Sequence, residues 1–226
     1  MTIEVGTRME DQLVGSPITG YQPIYELRTY KMVPALLPHY LRIIDERLRV
    51  IRGDNFGRLA GFWFSGVGGE CAVHHLWEFT SLDERQHFRK LLALSSEWRA
   101  FLADVAPAIQ TQRITFMRPI TLLTIPEQSG CIYELIRYRA AVGKVQSVAD
   151  EVLRRTFTTP TTLVGAWIAE APDPNEVIQL LGVHDLNEHL SDCKNREQTA
   201  WWMKVRGEIT ECRSALLSPV SVSPLR

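Results

Sequence analysis

The sequence predicts an α+β protein built from one β-α-β-β-α-β unit used twice. Three observations carry that prediction: an internal repeat, the same order of strand-like and helix-like periodicities in each copy, and two helices per copy, enough to cover one sheet face. The repeat comes first. Tyr25-Glu26-Leu27-Arg28-Thr29-Tyr30 resembles Tyr133-Glu134-Leu135-Ile136-Arg137-Tyr138, an offset of 133 − 25 = 108. Gly61-Phe62-Trp63 matches Gly165-Ala166-Trp167, and Leu82-Asp83-Glu84-Arg85 matches Leu186-Asn187-Glu188-His189, both at an offset of 104. Trp98 and Trp202 keep that 104, and Phe116 to Ile120 matches Leu216 to Val220 at 100. A falling offset is what short losses from the second copy's loops or helix ends produce.

Each element of the first copy has its own signal. Tyr25 to Lys31 alternates and is rich in aromatic residues, which predicts a strand. Pro34 to Arg52 carries Leu37, Leu41, Ile44 and Leu48 at helical spacing, and Gly53-Asp54-Asn55 ends that helix. Leu59 to Val67 and Ala72 to Phe79 are predicted strands, with Gly66, Gly68 and Gly69 turning the chain between them. Ser81 caps a second helix, with Glu84 three residues on as a capping box, and the helix is expected to run to about Pro107. Thr111 to Met117 is the fourth strand, closed by Pro119. This is the ferredoxin-like split pattern. Two such sheets in one chain are expected to pack by their uncovered faces, as an intrachain α+β barrel. The expected layout is a loose arm at 1–20, a first domain at 21–120, a linker at 121–130 and a more diverged second domain at 131–226.

Bulk composition limits the partners. The chain has 226 residues, is 45% hydrophobic and 23% charged, and has a formal net charge of -1. Nucleic acid and anionic membrane surfaces both select a basic face, so neither is expected as a partner. No run approaches the ~18 apolar residues of a membrane span. Glu4, Glu10 and Asp11 argue against a secretory leader. Cys71, Cys131, Cys193 and Cys212 form no CxxC pair and pair with no nearby His at zinc-ligand spacing, which fits a cytoplasmic protein with reduced thiols, Cys71 and Cys131 being expected as inert ones.

The YELRTY strand, the Gly61-Phe62-Trp63 run, the stretch from His75-Leu76-Trp77 to Arg85 and the helix bearing Trp98 together resemble the NIPSNAP family. The resemblance covers about residues 24 to 120 well and 131 to 220 more weakly. It implies the dimeric α+β barrel superfamily, whose members include cofactor-free monooxygenases, polyketide cyclases, muconolactone-isomerase-like enzymes and haem enzymes. Fold alone does not choose among these.

Strand parity sorts the candidate site. Glu26, Arg28 and Tyr30 share one face of the first strand, and Tyr25, Leu27 and Thr29 the other. Charges under a helix layer are costly, so the polar set is expected to face the barrel cavity. The family pattern puts His75 and Trp77 on the cavity side of the third strand. His74 then falls on the helix-side core, held by a backbone group, although it takes the cavity role if the faces are reversed. Trp63 is expected to face the cavity from the second strand. The expected catalytic set is His75, Arg28 and Tyr30, and the expected substrate-binding set Glu26, Trp63, Trp77 and His74. Histidine suits proton transfer near neutrality, while Arg28 and Tyr30 suit a developing negative charge. Glu26 and Arg28 can equally pair with each other as a structural unit.

The two copies offer a comparison. Arg28 aligns with Ile136, His75 with Gln179 and Trp77 with Leu181, whereas Glu26, Tyr30 and Trp63 keep Glu134, Tyr138 and Trp167. A polar pocket is therefore expected in the first repeat only. The residues leave two functional classes open. One is a cofactor-independent enzyme acting by acid/base chemistry on a small apolar or aromatic carbonyl compound, as a cyclase, isomerase or monooxygenase of secondary metabolism. The other is a non-catalytic small-molecule, haem-binding or protein-interaction module, with His74 or His75 as the axial ligand of a haem. No metal site is expected. His184, Asp185 and His189 cluster, but their spacing of five is wrong for a zinc motif. A homodimer of the chain is compatible with the fold.

Overall fold

The computed structural model describes residues 22–66, 70–126, 132–157, 161–195 and 198–226. The expected arm at 1–20, the Gly68-Gly69 part of the hairpin turn, positions 127–130 of the expected linker and Cys131 lie outside them. The first repeat runs β1 (Ile24–Met32), α1 (Leu37–Ile43), α2 (Arg49–Ile51), β2 (Arg58–Ser65), β3 (Ala72–Phe79), α3 (Leu82–Leu94), α4 (Ser96–Val105) and β4 (Ile109–Pro119). The second runs β5 (Ile132–Ala140), α5 (Val145–Arg154), β6 (Thr161–Ala171), β7 (Glu176–Val183), α6 (Leu186–Asn195), α7 (Ala200–Arg206) and β8 (Ile209–Pro219).

The eight strands close into one antiparallel barrel in the order β1-β3-β2-β8-β5-β7-β6-β4. Each repeat supplies a four-stranded sheet, and the two sheets meet along both edges. Trp63 faces Pro219 across β2 and β8, and Arg118 faces Ile168 across β4 and β6. Closure leaves no open sheet edge, which removes the usual hazard of unpaired backbone groups. Register repeats between the halves. Arg28 stands opposite His75 in the first sheet, and Ile136 opposite Gln179 in the second.

The helices depart from expectation at two points. The first helical segment is not uniform: Pro34–Leu36 is a 3-10 turn, and Ile44–Leu48, between α1 and α2, is a π-helical turn. The single long helix expected to reach Pro107 is two helices, broken at Ser95. Its extended backbone lets its hydroxyl accept from Trp98 N–H at 3.1 Å, starting α4 afresh. The Ser81 cap is present, with Glu84 N–H donating to Ser81 Oγ at 3.0 Å. No helix among the described residues is long and apolar enough to cross a membrane.

Three apolar layers result. The barrel lumen holds Tyr25, Leu27, Trp63 and Leu76 of the first repeat against Tyr133, Leu135, Trp167 and Leu180 of the second. A second layer lies between the first sheet and its helices, with Tyr30, Phe62 and Trp77 against Tyr40, Ile44, Leu48 and Phe101. The third is its counterpart in the second repeat, where Ile136, Tyr138 and Leu181 meet Val148, Val152 and Val205. In the lumen Trp63 lies over Gly61 and Trp167 over Gly165, and a Cβ at either glycine would overlap the ring.

Candidate functional site

Parity groups the polar residues as expected, but they occupy the opposite side of the sheet. Glu26, Arg28, Tyr30, His75 and Trp77 point into the layer under the helices, and the lumen is almost wholly apolar. His74 and Trp63 are the lumen residues. The expectation was reversed because it treated the charges as unpaired. Glu26, fully buried, accepts from Arg28 Nε on its own strand and from Arg85 Nε, supplied by α3, at 2.5 Å. A helix can deliver such a partner to the sheet, whereas a lumen walled by eight strands has no comparable source. Paired and hydrogen-bonded charge is tolerated where lone charge is not.

The pocket is a cavity of about 60 Å³ between sheet and helices, lined among others by Arg28, Tyr30, Tyr40, Arg52, His75 and Trp77. Trp98, Phe101 and Leu102 of α4 also border it, and Leu102 is exposed there. It exceeds the roughly 10–15 Å³ that one water requires. It is well below the roughly 300 Å³ of ordinary cofactor pockets. In this conformation the volume beside His75 is too small for a haem. His74 is a poor axial ligand too, since its two ring nitrogens lie 3.2 Å from Thr29 Oγ1 and 3.3 Å from Ser65 Oγ.

His75 is the centre of the pocket. Trp77 Nε1–H donates to His75 Nδ1 at 2.6 Å. An indole only donates, so this bond fixes Nδ1 as acceptor and puts the imidazole hydrogen on Nε2. That Nε2 is buried and has no partner among the described residues. The ring stacks on Phe62 (centroids 4.9 Å, 9° between planes) and meets Tyr30 edge-on at 4.9 Å. Burial, together with the Arg28 and Arg52 cations, holds His75 well below the ordinary imidazole range, so it is neutral. The expected proton-moving role is thereby revised: the free nitrogen is an N–H donor, and the lone pair that would act as base is engaged by Trp77.

Cations dominate the surroundings. Arg28 Nη1 donates to Tyr30 Oη at 2.9 Å, which leaves the phenol proton free to point elsewhere. Arg52 lies over Trp77, its guanidinium carbon 3.4 Å from the ring centroid, and donates to Phe56 O at 2.8 Å. Burial and the nearby Arg28 lower Arg52 to about 9. Burial also lowers Arg89, again with Arg28 beside it. Burial pushes Glu26 up, and the Arg28 and Arg85 guanidiniums outweigh it, so the carboxyl stays ionised below its usual range. Positive charge is thus in excess in a buried site, beside two donors, Tyr30 O–H and His75 Nε2–H. That arrangement is complementary to an anionic oxygen.

Sequence reasoning missed Arg52, Arg85 and Phe62. Arg85 stands within the repeat match, but its reach from helix to strand depends on the crossing of α3 over β1. A larger cleft of about 530 Å³ lies at the barrel end where Arg137 reaches Thr29. Each of its four arginines holds one of three carboxylates: Arg113 and Arg137 both hold Glu176, Arg139 holds Asp173, and Arg213 holds Glu211.

Fold and pocket together define a dimeric-α+β-barrel protein whose two halves are one chain, with a donor-lined pocket in the first half. Residues 25–123 match the NIPSNAP family model. The first repeat thus matches the NIPSNAP family, and the second repeat lies outside the matched residues. It is 31% identical over 101 residues to Protein NipSnap homolog 1 of Danio rerio, covering 43% of this chain and 34% of that protein. The chain thus spans about a third of the length of the curated relatives it matches. A NIPSNAP family protein of unknown function from Agrobacterium tumefaciens is 30% identical, covering 44% of this chain and 89% of that one, with a TM-score of 0.42. A protein of Lactobacillus acidophilus described as a candidate monooxygenase is 13% identical and covers 88% of this chain and 95% of its own, with a TM-score of 0.62, a likeness of fold.

Proposed function

We propose that the first-repeat pocket is the active site of a cofactor-independent enzyme. Its substrate is a small apolar or aromatic compound with a carbonyl or acidic phenolic oxygen, and the pocket stabilises that oxygen as it gains negative charge. The observation that carries the reading is the buried, unpartnered Nε2 of His75, held as a donor by Trp77. Tyr30 and His75 donate to the oxygen, Arg28 polarises Tyr30, and Phe62, Trp77 and Phe101 supply apolar walls. A single preorganised donor at a developing oxyanion contributes about 3–4 kcal/mol to catalysis in well-studied cases. Making the enolate or phenolate cheaper is the shared step of isomerisation, cyclisation and reaction of a carbanion with O2, and solvent water or hydroxide takes the proton, because His75 Nδ1 is engaged by Trp77. The description of the Lactobacillus acidophilus protein fits the last of these.

The ring of an aromatic substrate exceeds a 60 Å³ cavity, so binding requires α4 to part from the first helical segment. The π turn at Ile44–Leu48, whose Ile44 and Leu48 line the pocket, is a natural place for that segment to yield. The reading needs no metal and no organic cofactor, and it places the protein among small-molecule enzymes of biosynthesis. The test is α-deuteration of a panel of small aryl ketones in D2O, followed by proton NMR. Exchange catalysed by the wild type and at least tenfold slower in His75→Phe and Tyr30→Phe supports the reading. Exchange unaffected by both substitutions, or absent for every ketone, overturns it.

A further inference from the structure

The second repeat carries a different cluster at the matching place. Glu134 on β5 is the counterpart of Glu26, His189 on α6 that of Arg85 (189 − 85 = 104), and Cys193 that of Arg89 (193 − 89 = 104). Arg28 has become Ile136. The strand carboxylate is kept while three arginine positions around it turn into an aliphatic, an imidazole and a thiol. Drift that merely discarded a polar pocket would be expected to lose the buried carboxylate as well, because a buried carboxylate is the costly member.

His189 and Cys193 lie four apart on one face of α6, above Glu134. Glu134 Oε2 stands 3.0 Å from His189 Nε2, and Cys193 Sγ stands 3.6 Å from that same nitrogen. All three ligand atoms fall within 4.8 Å of one another. Ligand bonds of about 2.0–2.3 Å in tetrahedral geometry separate donor atoms by roughly 3.3–3.7 Å. Two of the three separations lie within or about 0.3 Å of that range, and the third, at most 4.8 Å, has to close by up to about an ångström to surround an ion. Glu134 and His189 are buried, and Cys193 is half-buried, so the fourth position would face solvent.

We propose that Glu134, His189 and Cys193 form a three-ligand site for a divalent transition metal of the zinc class, with one open position. A carboxylate, an imidazole and a thiolate are a borderline-soft set that suits Zn(II) and Co(II) and discriminates against Mg(II) and Ca(II). The ion supplies positive charge where the first repeat uses guanidiniums, and it ties α6 to β5 as Arg85 ties α3 to β1. This departs from the expectation of no metal, which weighed His189 with His184 and Asp185. His184 instead lies beside Thr162.

The test is titration of the purified full chain with Co(II) under a non-thiol reductant, monitored by absorbance. The expected result is one equivalent bound with a near-ultraviolet thiolate-to-cobalt band, displaced by one equivalent of Zn(II). Binding should weaken at least tenfold in Cys193→Ser and in His189→Gln, while Cys71→Ser keeps it. Far-UV circular dichroism checks folding, and the partly exposed Cys193 keeps the test open if the buried His189 variant misfolds. No stoichiometric Co(II), a spectrum without the thiolate band, or binding unchanged in Cys193→Ser overturns the proposal.

Discussion

The indole N–H of Trp77 donates to Nδ1 of His75 at 2.6 Å, and this bond decides what His75 can do. It selects the tautomer whose hydrogen lies on Nε2, inside the pocket. Replacing Trp77 by Phe keeps most of the apolar volume and removes the donor. Ring nitrogen-15 NMR of the wild type should show His75 neutral at pH 7, with Nδ1 bare and Nε2 protonated. In Trp77→Phe the two tautomers should mix, and stability should fall by about 1–2 kcal/mol through the lost hydrogen bond and the weakened Arg52 contact. A protonated His75 in the wild type at pH 7 would contradict the assignment.

Arg28 offers a test of the buried charges. The second repeat carries Ile136 at its position, yet Arg28→Ile should destabilise by about 3–5 kcal/mol, because Glu26 loses one of its two guanidinium partners while fully buried. The double variant Glu26→Gln with Arg28→Ile should recover a good part of that loss. Urea unfolding of the two variants makes the comparison, and equal losses in both would show that the charge of Glu26 is not what Arg28 satisfies.

The lumen glycines predict a symmetric result. Gly61→Ala and Gly165→Ala each press a methyl into the tryptophan two residues on. Overpacking of this kind costs about 1–3 kcal/mol, and the two substitutions should cost about the same. Thermal melts of the two variants check it. A neutral Gly165→Ala beside a damaging Gly61→Ala would mean the two halves of the lumen are not equivalent.

Acid should weaken the fold earlier than carboxylates alone predict. Burial, with Arg137 nearby, lowers His74 to about 4, and burial also holds His75 well below its ordinary value. For a group whose folded value is depressed, stability is present above the unfolded value, near 6.5, and is lost as pH falls toward the folded one. His74 alone accounts for a loss of on the order of 3 kcal/mol between pH 7 and pH 4. Chemical denaturation across that range should show it, and His74→Gln should flatten the slope. A wild-type stability constant from pH 7 to pH 5 would refute the burial of these rings as neutral groups.

Much of this was legible in the residues. The Tyr25 and Tyr133 strands announce the repeat, and alternation within Tyr25 to Tyr30 separates Glu26, Arg28 and Tyr30 from Leu27 and Thr29. The opposing register of Arg28 and His75 follows from the same alternation. The side of the sheet was not legible. That choice depends on Arg85 crossing from α3 to Glu26, a contact 59 residues apart in sequence. Parity fixes relative facing and nothing absolute, so one missing long-range partner reversed the whole set. The break at Ser95 was hidden for a related reason: a serine inside an amphipathic run reads as a solvated position until its hydroxyl is seen to cap Trp98. The Glu134, His189 and Cys193 cluster left a fainter trace, in the alignment of His189 and Cys193 with two arginines.

The central claim is that the first-repeat pocket stabilises an anionic oxygen through His75, Tyr30 and Arg28. The most direct measurement is the apparent pKa of 4-nitrophenol bound to the protein, read from the phenolate absorbance across pH. The account predicts that the bound phenol ionises at least one pH unit lower than in solution, and that His75→Phe and Tyr30→Phe each remove a large part of the shift. A bound phenol that ionises at or above its solution value, or a shift indifferent to both substitutions, would contradict it.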